Sequence, residues 1–250
     1  MNRKEILEKL EKYNLNQEKY VIISGAAMVI NGIKSTAKDI DIAVDSEYEK
    51  EILKNYKCTL ERKIIDGSKK YNAYLIDDII NFSTHYFNEY KYEKKEGFYV
   101  QTAEEILKLK NKLNREKDKD DIQALKDYIN KKNINSLALA YLGDAVYELF
   151  IRQYLLKENK KVNDLQKEAI GYVSAKAQSK YLDKLIKDNI LNNEEIEIVK
   201  RARNHKSHTS KTTDIITYKK STGLEALIGF LKLTNQDERI KEIMNKIVGE

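Results

Sequence analysis

Two stretches of the chain are so apolar that a helix made from either must be buried, yet each holds a carboxylate that burial penalises. Residues 137–151 read LALAYLGDAVYELFI, with Asp144 near the middle. Residues 221–231 read STGLEALIGFL, with Glu225 as the only charge. An ionised carboxylate on an apolar helix is strongly disfavoured unless something pairs with it. Helix positions three or four apart share a face, so Asp144 faces with Ala140 and Glu148, and Glu225 with Thr222 and Gly229. If the two helices pack together, their carboxylates meet, and Gly143, Gly223 and Gly229 permit a close backbone approach. Two converging carboxylates suit Mg²⁺, which keeps several waters and takes further ligands from substrate phosphate. The alternative is that each carboxylate pairs with an Arg or Lys.

The charge between the two stretches bears on that choice. Residues 199–220 contain Lys200, Arg201, Arg203, Lys206, Lys211, Lys219 and Lys220 against one acid, Asp214. A block this one-sided beside unpaired carboxylates points to a metal-dependent enzyme acting on a polyanion. The rest of the composition excludes more than it specifies. No apolar run reaches the roughly 18 residues of a membrane span, and the charged start MNRKEILEKLEKYN has no apolar signal core. A single cysteine, Cys58, rules out an internal disulfide and fits a reducing cytoplasm. The absence of Pro and Trp from the 250 residues speaks of base composition in the source rather than of function.

With no Pro to mark linkers, boundaries come from periodicity. Residues 20–24, 40–44, 71–76 and 79–84 read as strands. Residues 2–13, 26–31, 47–56 and about 117–129 read as helices, as does a stretch from Ala103 that Thr102 and Glu105 open as a capping box. After residue 132 strand signals vanish. Helical patterns follow over 136–157, 162–188, 193–203, 222–232 and 238–247. The sequence therefore predicts a multidomain chain with a mixed α/β domain over 1–131 and an all-α domain over 133–250.

A second acidic pair lies in the first domain. Asp39 and Asp41 flank Ile40 and point to one side of a strand, roughly 7 Å apart, close enough to share a Mg²⁺. Ser24-Gly25 ends the preceding strand and opens a helix whose N-terminus suits phosphate. The plain alternative is an edge strand with exposed acids.

Three motifs of the second domain carry a resemblance. LAYLGDAVYE (139–148), RARNHKSHTS (201–210) and STGLEALIGFL (221–231) resemble, in order and spacing, Mini-ribonuclease III of the ribonuclease III family. The resemblance covers residues 133–250 almost entirely. It implies an all-helical, homodimeric, Mg²⁺-dependent endoribonuclease for double-stranded RNA, with Mn²⁺ able to substitute. It also implies a role in maturing the large-subunit ribosomal RNA precursor, with a ribosomal protein as candidate helper. By motif, Asp144 and Glu225 become the catalytic, metal-binding pair. Full-length ribonuclease III has a Glu four residues before the Asp and an Asp three before the last Glu. Here those positions are Ala140 and Thr222, the sparse pattern of the Mini form. With no appended RNA-binding domain after Glu225, the grip falls to Arg201, Arg203, Asn204, Lys206 and Ser207, with Lys219 and Lys220. His205 and His208 are metal ligands or phosphate-facing; Glu148 is an outer-shell group or a surface acid; Tyr141, Tyr147 and Tyr154 are expected in the core.

The first domain resembles the nucleotidyltransferase fold, especially its small toxin-like forms, over residues 1–131. That resemblance makes Asp39 and Asp41 metal ligands and puts Ser24, Gly25, Lys110 and Asp121 around a nucleotide. The chain departs from the pattern in having Gly25-Ala26 for Gly-Gly or Gly-Ser. The third carboxylate is either Asp77 or Asp78, or is replaced by Asn81. Three functions stay open. One is a cytoplasmic double-stranded-RNA endonuclease without membrane partners. The second is a nucleotidyltransferase modifying RNA or protein, with the helical domain as RNA-binding module. The third is an RNA-binding factor with both sites silent.

Overall fold

A computed structural model describes residues 1–66, 68–85, 91–156, 160–205 and 214–249. The chain forms two compact units, Met1–Ile129 and Asn130–Glu250.

In the first unit a mixed sheet of seven strands runs in the order β3-β4-β5-β2-β1-β7-β6. These are β1 (Tyr20–Ile23), β2 (Ile40–Val44), β3 (Cys58–Asp66), β4 (Lys69–Ile76), β5 (Ile80–Ser83), β6 (Tyr92–Lys95) and β7 (Phe98–Gln101). β1 pairs antiparallel with β2 and parallel with β7, and β2 runs parallel to β5. The sheet centre is apolar: Ile22, Ile40, Ile80, Phe82 and Val100 are fully buried. Sequence periodicity finds β1, β2, β4 and β5 but passes over β3, β6 and β7. The reason is visible in β3, an edge strand whose Leu60 and Ile65 are exposed, so apolar and polar residues do not alternate across it.

Four helices accompany the sheet: α1 (Arg3–Lys12), α2 (Ser24–Ile30), α3 (Ser46–Asn55) and α4 (Ala103–Leu113), followed by α5 (Lys119–Lys132). Thr102 caps α4 by accepting from the Glu105 N–H at 3.4 Å, one half of the expected capping box. α4 and the start of α5 are tied by buried charge. The Lys110 ammonium sits 2.6 Å from Asp118 and 2.9 Å from Asp121, and Lys34 reaches Asp121 at 2.8 Å.

The second unit is all-helical among the described residues: α6 (Ser136–Leu155), α7 (Val162–Val173), α8 (Ala175–Lys187), α9 (Asn193–Arg203), α10 (Ile215–Leu233) and α11 (Asp237–Val248). The helix expected over 162–188 breaks at Ser174. Its backbone leaves the helical region (φ −65°, ψ 146°), and its hydroxyl caps α8 on the Ala177 N–H. The last long helix begins earlier than its apolar run, at Ile215, because Asp214 caps it on the Ile216 and Thr217 N–H groups. The lone acid of the basic segment is thus a helix cap, and Lys219 and Lys220 lie on α10 rather than in a loop.

At the centre of this unit α6 and α10 cross backbone to backbone. A Cβ on Gly143 would stand 1.7 Å from the Glu225 carbonyl oxygen, and one on Gly229 would stand 2.0 Å from that of Leu139. No side chain fits either place, so both helices need glycine at the crossing. Gly223, expected at the same contact, faces α9 instead: a Cβ there would meet Val199 and the Arg203 stem at 3.2 Å. Leu139, Tyr147, Ile151, Leu224, Leu227 and Ile228 close around the crossing with essentially no exposure. Tyr141, expected in the core, is 85% exposed, because it sits on the far face of α6 from this contact.

Gly143→Ala is expected to destabilise the chain by at least about 3 kcal/mol, since the helices must separate. Gly171→Ala, on the exposed face of α7 with nothing within 4 Å, is expected to be neutral or stabilising by up to about 1 kcal/mol. Thermal unfolding followed by circular dichroism measures both. Equal effects would contradict a backbone-limited crossing.

Candidate active site

The crossing that demands glycine also sets the chemistry. Asp144 follows Gly143 on α6, and Glu225 gives α10 the carbonyl against which Gly143 packs. Asp144 is exposed while Glu225 is half-buried. Burial, and then the Asp144 charge, push the Glu225 carboxyl from its ordinary 4.5 up to about 7. Asp144, though largely exposed, is raised as well, by partial desolvation at its base and then by the neighbouring Glu148. Among the described residues no Lys, Arg or His forms an ion pair with either carboxylate. The charge-pairing alternative left open by the sequence therefore does not apply within the described residues.

Two further groups surround Glu225. Tyr147, fully buried one turn past Asp144, donates its hydroxyl to the Tyr172 carbonyl at 3.2 Å, and burial, then Tyr181 and Glu225, raise its pKa. Gln178, on α8 and 1% exposed, presents its amide to Glu225 and holds the carboxyl pKa down against the other two influences. Its Nε2 nevertheless closes no full hydrogen bond. Sequence reasoning missed Gln178; a polar residue at a position where α8 turns its apolar face inward was the available signal. Glu148 pairs with Arg152 at 2.6 Å, as a surface acid does.

The basic residues divide. Arg201 and Arg203 close α9, and Asn204 caps it. Arg201 reaches the Ile134 carbonyl at 3.5 Å, and its partial burial lowers its pKa. The Arg203 stem lies over Gly223. Lys219 lies on the second turn of α10, and Lys220 is bound to Asp183 of α8 at 2.7 Å. Lys206, Ser207 and His208 lie outside the described residues. His205 is half-buried just after α9.

The first unit's acidic pair has a different setting. Burial, then Asp39, raise Asp41 to about 6, while Arg62 and a hydrogen bond from Ser24 oppose the rise. Ser24 stands in the left-handed region (φ 57°) and donates its N–H to Gln101 at 3.1 Å. A Cβ on Gly25 would make only ordinary contact with Ala37 at 3.8 Å, so no close backbone approach explains that glycine. The register partner of Asp41 on β5 is Asn81, which donates to Glu61 at 2.6 Å. Asp77 and Asp78 sit in the turn before β5, with positive φ, and Asp77 accepts from Tyr13. Lys110 and Asp121, expected around a nucleotide, bond to each other; Lys110 also bonds to Asp118, and Asp121 to Lys34.

The family model described as Ribonuclease III domain matches residues 137–236, which include the crossing of the two helices and both carboxylates. "Mini-ribonuclease 3" of Enterococcus faecalis is 47% identical over 131 residues, which are 50% of this chain and 97% of that protein. The Clostridium tetani protein of the same name is 49% identical over 47% of this chain and 78% of its own length. The Staphylococcus aureus one is 46% identical over 47% and 89%. The chain belongs to the Mini-ribonuclease 3 family and is an endoribonuclease. Enzymes of the ribonuclease III family are generally divalent-metal dependent, act on double-stranded RNA and usually form dimers.

The residues present fit such an ion. Among the described residues no group of three or more His, Cys, Asp or Glu gathers, so the protein offers two carboxylates and leaves the remaining positions to water and phosphate, as Mg²⁺ prefers. Holding two like charges together without a counter-ion costs stability. Because the folded-state pKa of Glu225 is raised, the folded chain binds this proton more tightly than the unfolded one. Stability from this group is therefore lost as pH rises from 4.5 through about 7. We expect Glu225→Gln to stabilise the metal-free protein at pH 8 by about 2 kcal/mol, after discounting for solvent screening, and to change little at pH 5. Thermal unfolding of the full chain at both pH values checks this. A shift of equal size at both would contradict the cause assigned.

Proposed function

We propose that Asp144 and Glu225 are the catalytic pair and that they hold Mg²⁺, with Mn²⁺ able to substitute, to hydrolyse phosphodiesters of duplex RNA. The observation that carries this reading is the meeting of two carboxylates at the α6–α10 crossing, with no cation paired to either among the described residues. A bound ion would supply charge stabilisation and an activated water. Asp144, at the open side, and Glu225, half-buried, would fix its place. Tyr147 and the apolar residues of the crossing exclude water from the inner side of Glu225. Arg201, Arg203 and Asn204 at the end of α9, and Lys219 and Lys220 on α10, flank the segment that carries Lys206 and Ser207. These side chains would contact phosphates and 2′-hydroxyls, the features by which duplex RNA is recognised.

The cleavage of both strands asks for two copies. An apolar groove of about 460 Å³ between α6 and α7, lined by Leu155, Leu156, Val162, Leu165 and Ile170, starts one turn beyond Asp144 at Glu148 and supports a homodimer through this face. The resemblance to Mini-ribonuclease III supports the ends of the large-subunit ribosomal RNA precursor as substrate, in the cytoplasm, with a ribosomal protein as helper. Asp144→Asn protein is expected to lose at least about a hundredfold in cutting of such a precursor stem with Mg²⁺. Undiminished cutting would sink the assignment.

A specific observation also favours a second activity. Asp41 is a carboxylate held in the sheet beside Asp39, with Ser24 bonded to it, and this supports a nucleotidyltransferase-like first domain over 1–131 that modifies RNA or protein. Incubation with labelled nucleoside triphosphates and Mg²⁺ tests it. Label on RNA or protein that Asp41→Asn abolishes is expected, and no transfer to either speaks against it.

A further inference from the structure

We propose that Gln178 is the positioning residue of the active site, fixing the Glu225 carboxylate so that one oxygen is turned toward Asp144. The inference rests on reading Asp144 and Glu225 as the ion-holding pair. Gln178 is carried by α8, a helix that packs on α10 and starts one turn earlier at the Ser174 cap. At 1% exposure it is among the most buried polar side chains of the unit, and its Nε2 has no closed hydrogen bond to any described atom. An unsatisfied buried amide donor is unfavourable and is seldom kept without a reason. Here the reason is the neighbour, since the amide addresses the Glu225 carboxylate.

The choice of a neutral donor follows from what the pair must do. Lys or Arg at position 178 would hold Glu225 more tightly, but its charge would cancel the field that attracts a cation. An amide restrains the side chain and leaves the carboxylate charge intact. Nε2–H can satisfy one carboxylate oxygen, and the other then faces the gap to Asp144. An ion held by the pair would take one Glu225 oxygen, and the amide would restrain the side chain from the other side. Groups that orient a metal's ligands from behind typically change metal affinity or activity tenfold to a hundredfold when removed.

The test uses the full chain with Gln178→Met, which matches the volume and removes the donor. Mn²⁺ affinity is measured by electron paramagnetic resonance without RNA, and kcat and KM for duplex RNA are measured across a Mg²⁺ series. We expect Mn²⁺ affinity to fall about tenfold to a hundredfold. At low Mg²⁺ kcat should fall in parallel and recover at high Mg²⁺, while KM for RNA stays within about twofold. Removing an orphan donor should leave the melting temperature unchanged or raised. Mn²⁺ affinity and kcat within about twofold of the parent would overturn the proposal and leave Gln178 a packing residue. Should Gln178→Met fail to fold, Gln178→Asn withdraws the amide by one methylene, with the same loss of Mn²⁺ affinity expected and the same null result overturning the proposal. Glu225→Gln, run alongside, separates the two readings. If it binds Mn²⁺ and cuts RNA like the parent, the pair itself is misassigned; if it fails while Gln178→Met does not, only the role of Gln178 falls.

Discussion

The helical unit depends on two peptide backbones touching. α6 and α10 meet where Gly143 faces the Glu225 carbonyl and Gly229 faces that of Leu139, at separations that admit no side chain. This contact buries the most apolar segments of the chain and places Asp144 and Glu225 at one crossing as a by-product of register. The same contact that stabilises the unit therefore concentrates two like charges. Fold and function oppose each other here: burial and the Asp144 charge lift Glu225 to about 7, and a carboxylate reluctant to ionise alone is relieved by a cation. Strain of this kind is expected at sites where activity outranks stability.

The two acidic pairs of the chain show what separates an open site from an occupied one. At Asp144 and Glu225 no counter-charge comes near among the described residues, and the one polar group addressing Glu225 is a neutral amide. Around Asp41 the fold supplies Arg62, the Ser24 hydroxyl, and an Asn81 that is itself committed to Glu61. Charge that sequence alone would send toward a ligand is partly consumed by the fold there. Lys110 and Asp121 make the same point, because a buried Lys with two carboxylate partners is spent in bracing α4 against α5.

Legibility in the sequence followed the physics of each element. Amphipathic helices with caps, such as α1, α9 and α11, stood close to their periodic patterns. β2 could be read residue by residue because its four apolar residues are buried and mark out a strand around Asp41. The edge strand β3 could not, since exposure on both faces removes the alternation that periodicity detects. Ser174 was hidden because a single hydroxyl cap outweighs an otherwise continuous helical pattern. Asp144 and Glu225 were visible as charges out of place on apolar helices. Gln178 was harder to see, because its place on the inward face of α8 is marked by a neutral amide rather than by a charge. Gly223 showed the limit of reasoning from small residues, since three glycines suggested one contact and the fold used two of them there.

The place a divalent ion takes decides between the two acidic pairs. Anomalous diffraction from Mn²⁺-soaked crystals of the full chain measures this without relying on turnover. We expect a difference peak between the Asp144 and Glu225 carboxylates, coordinated by both. Full Mn²⁺ occupancy at Asp39 and Asp41 with none between Asp144 and Glu225 would contradict the assignment of the crossing as the metal-holding site.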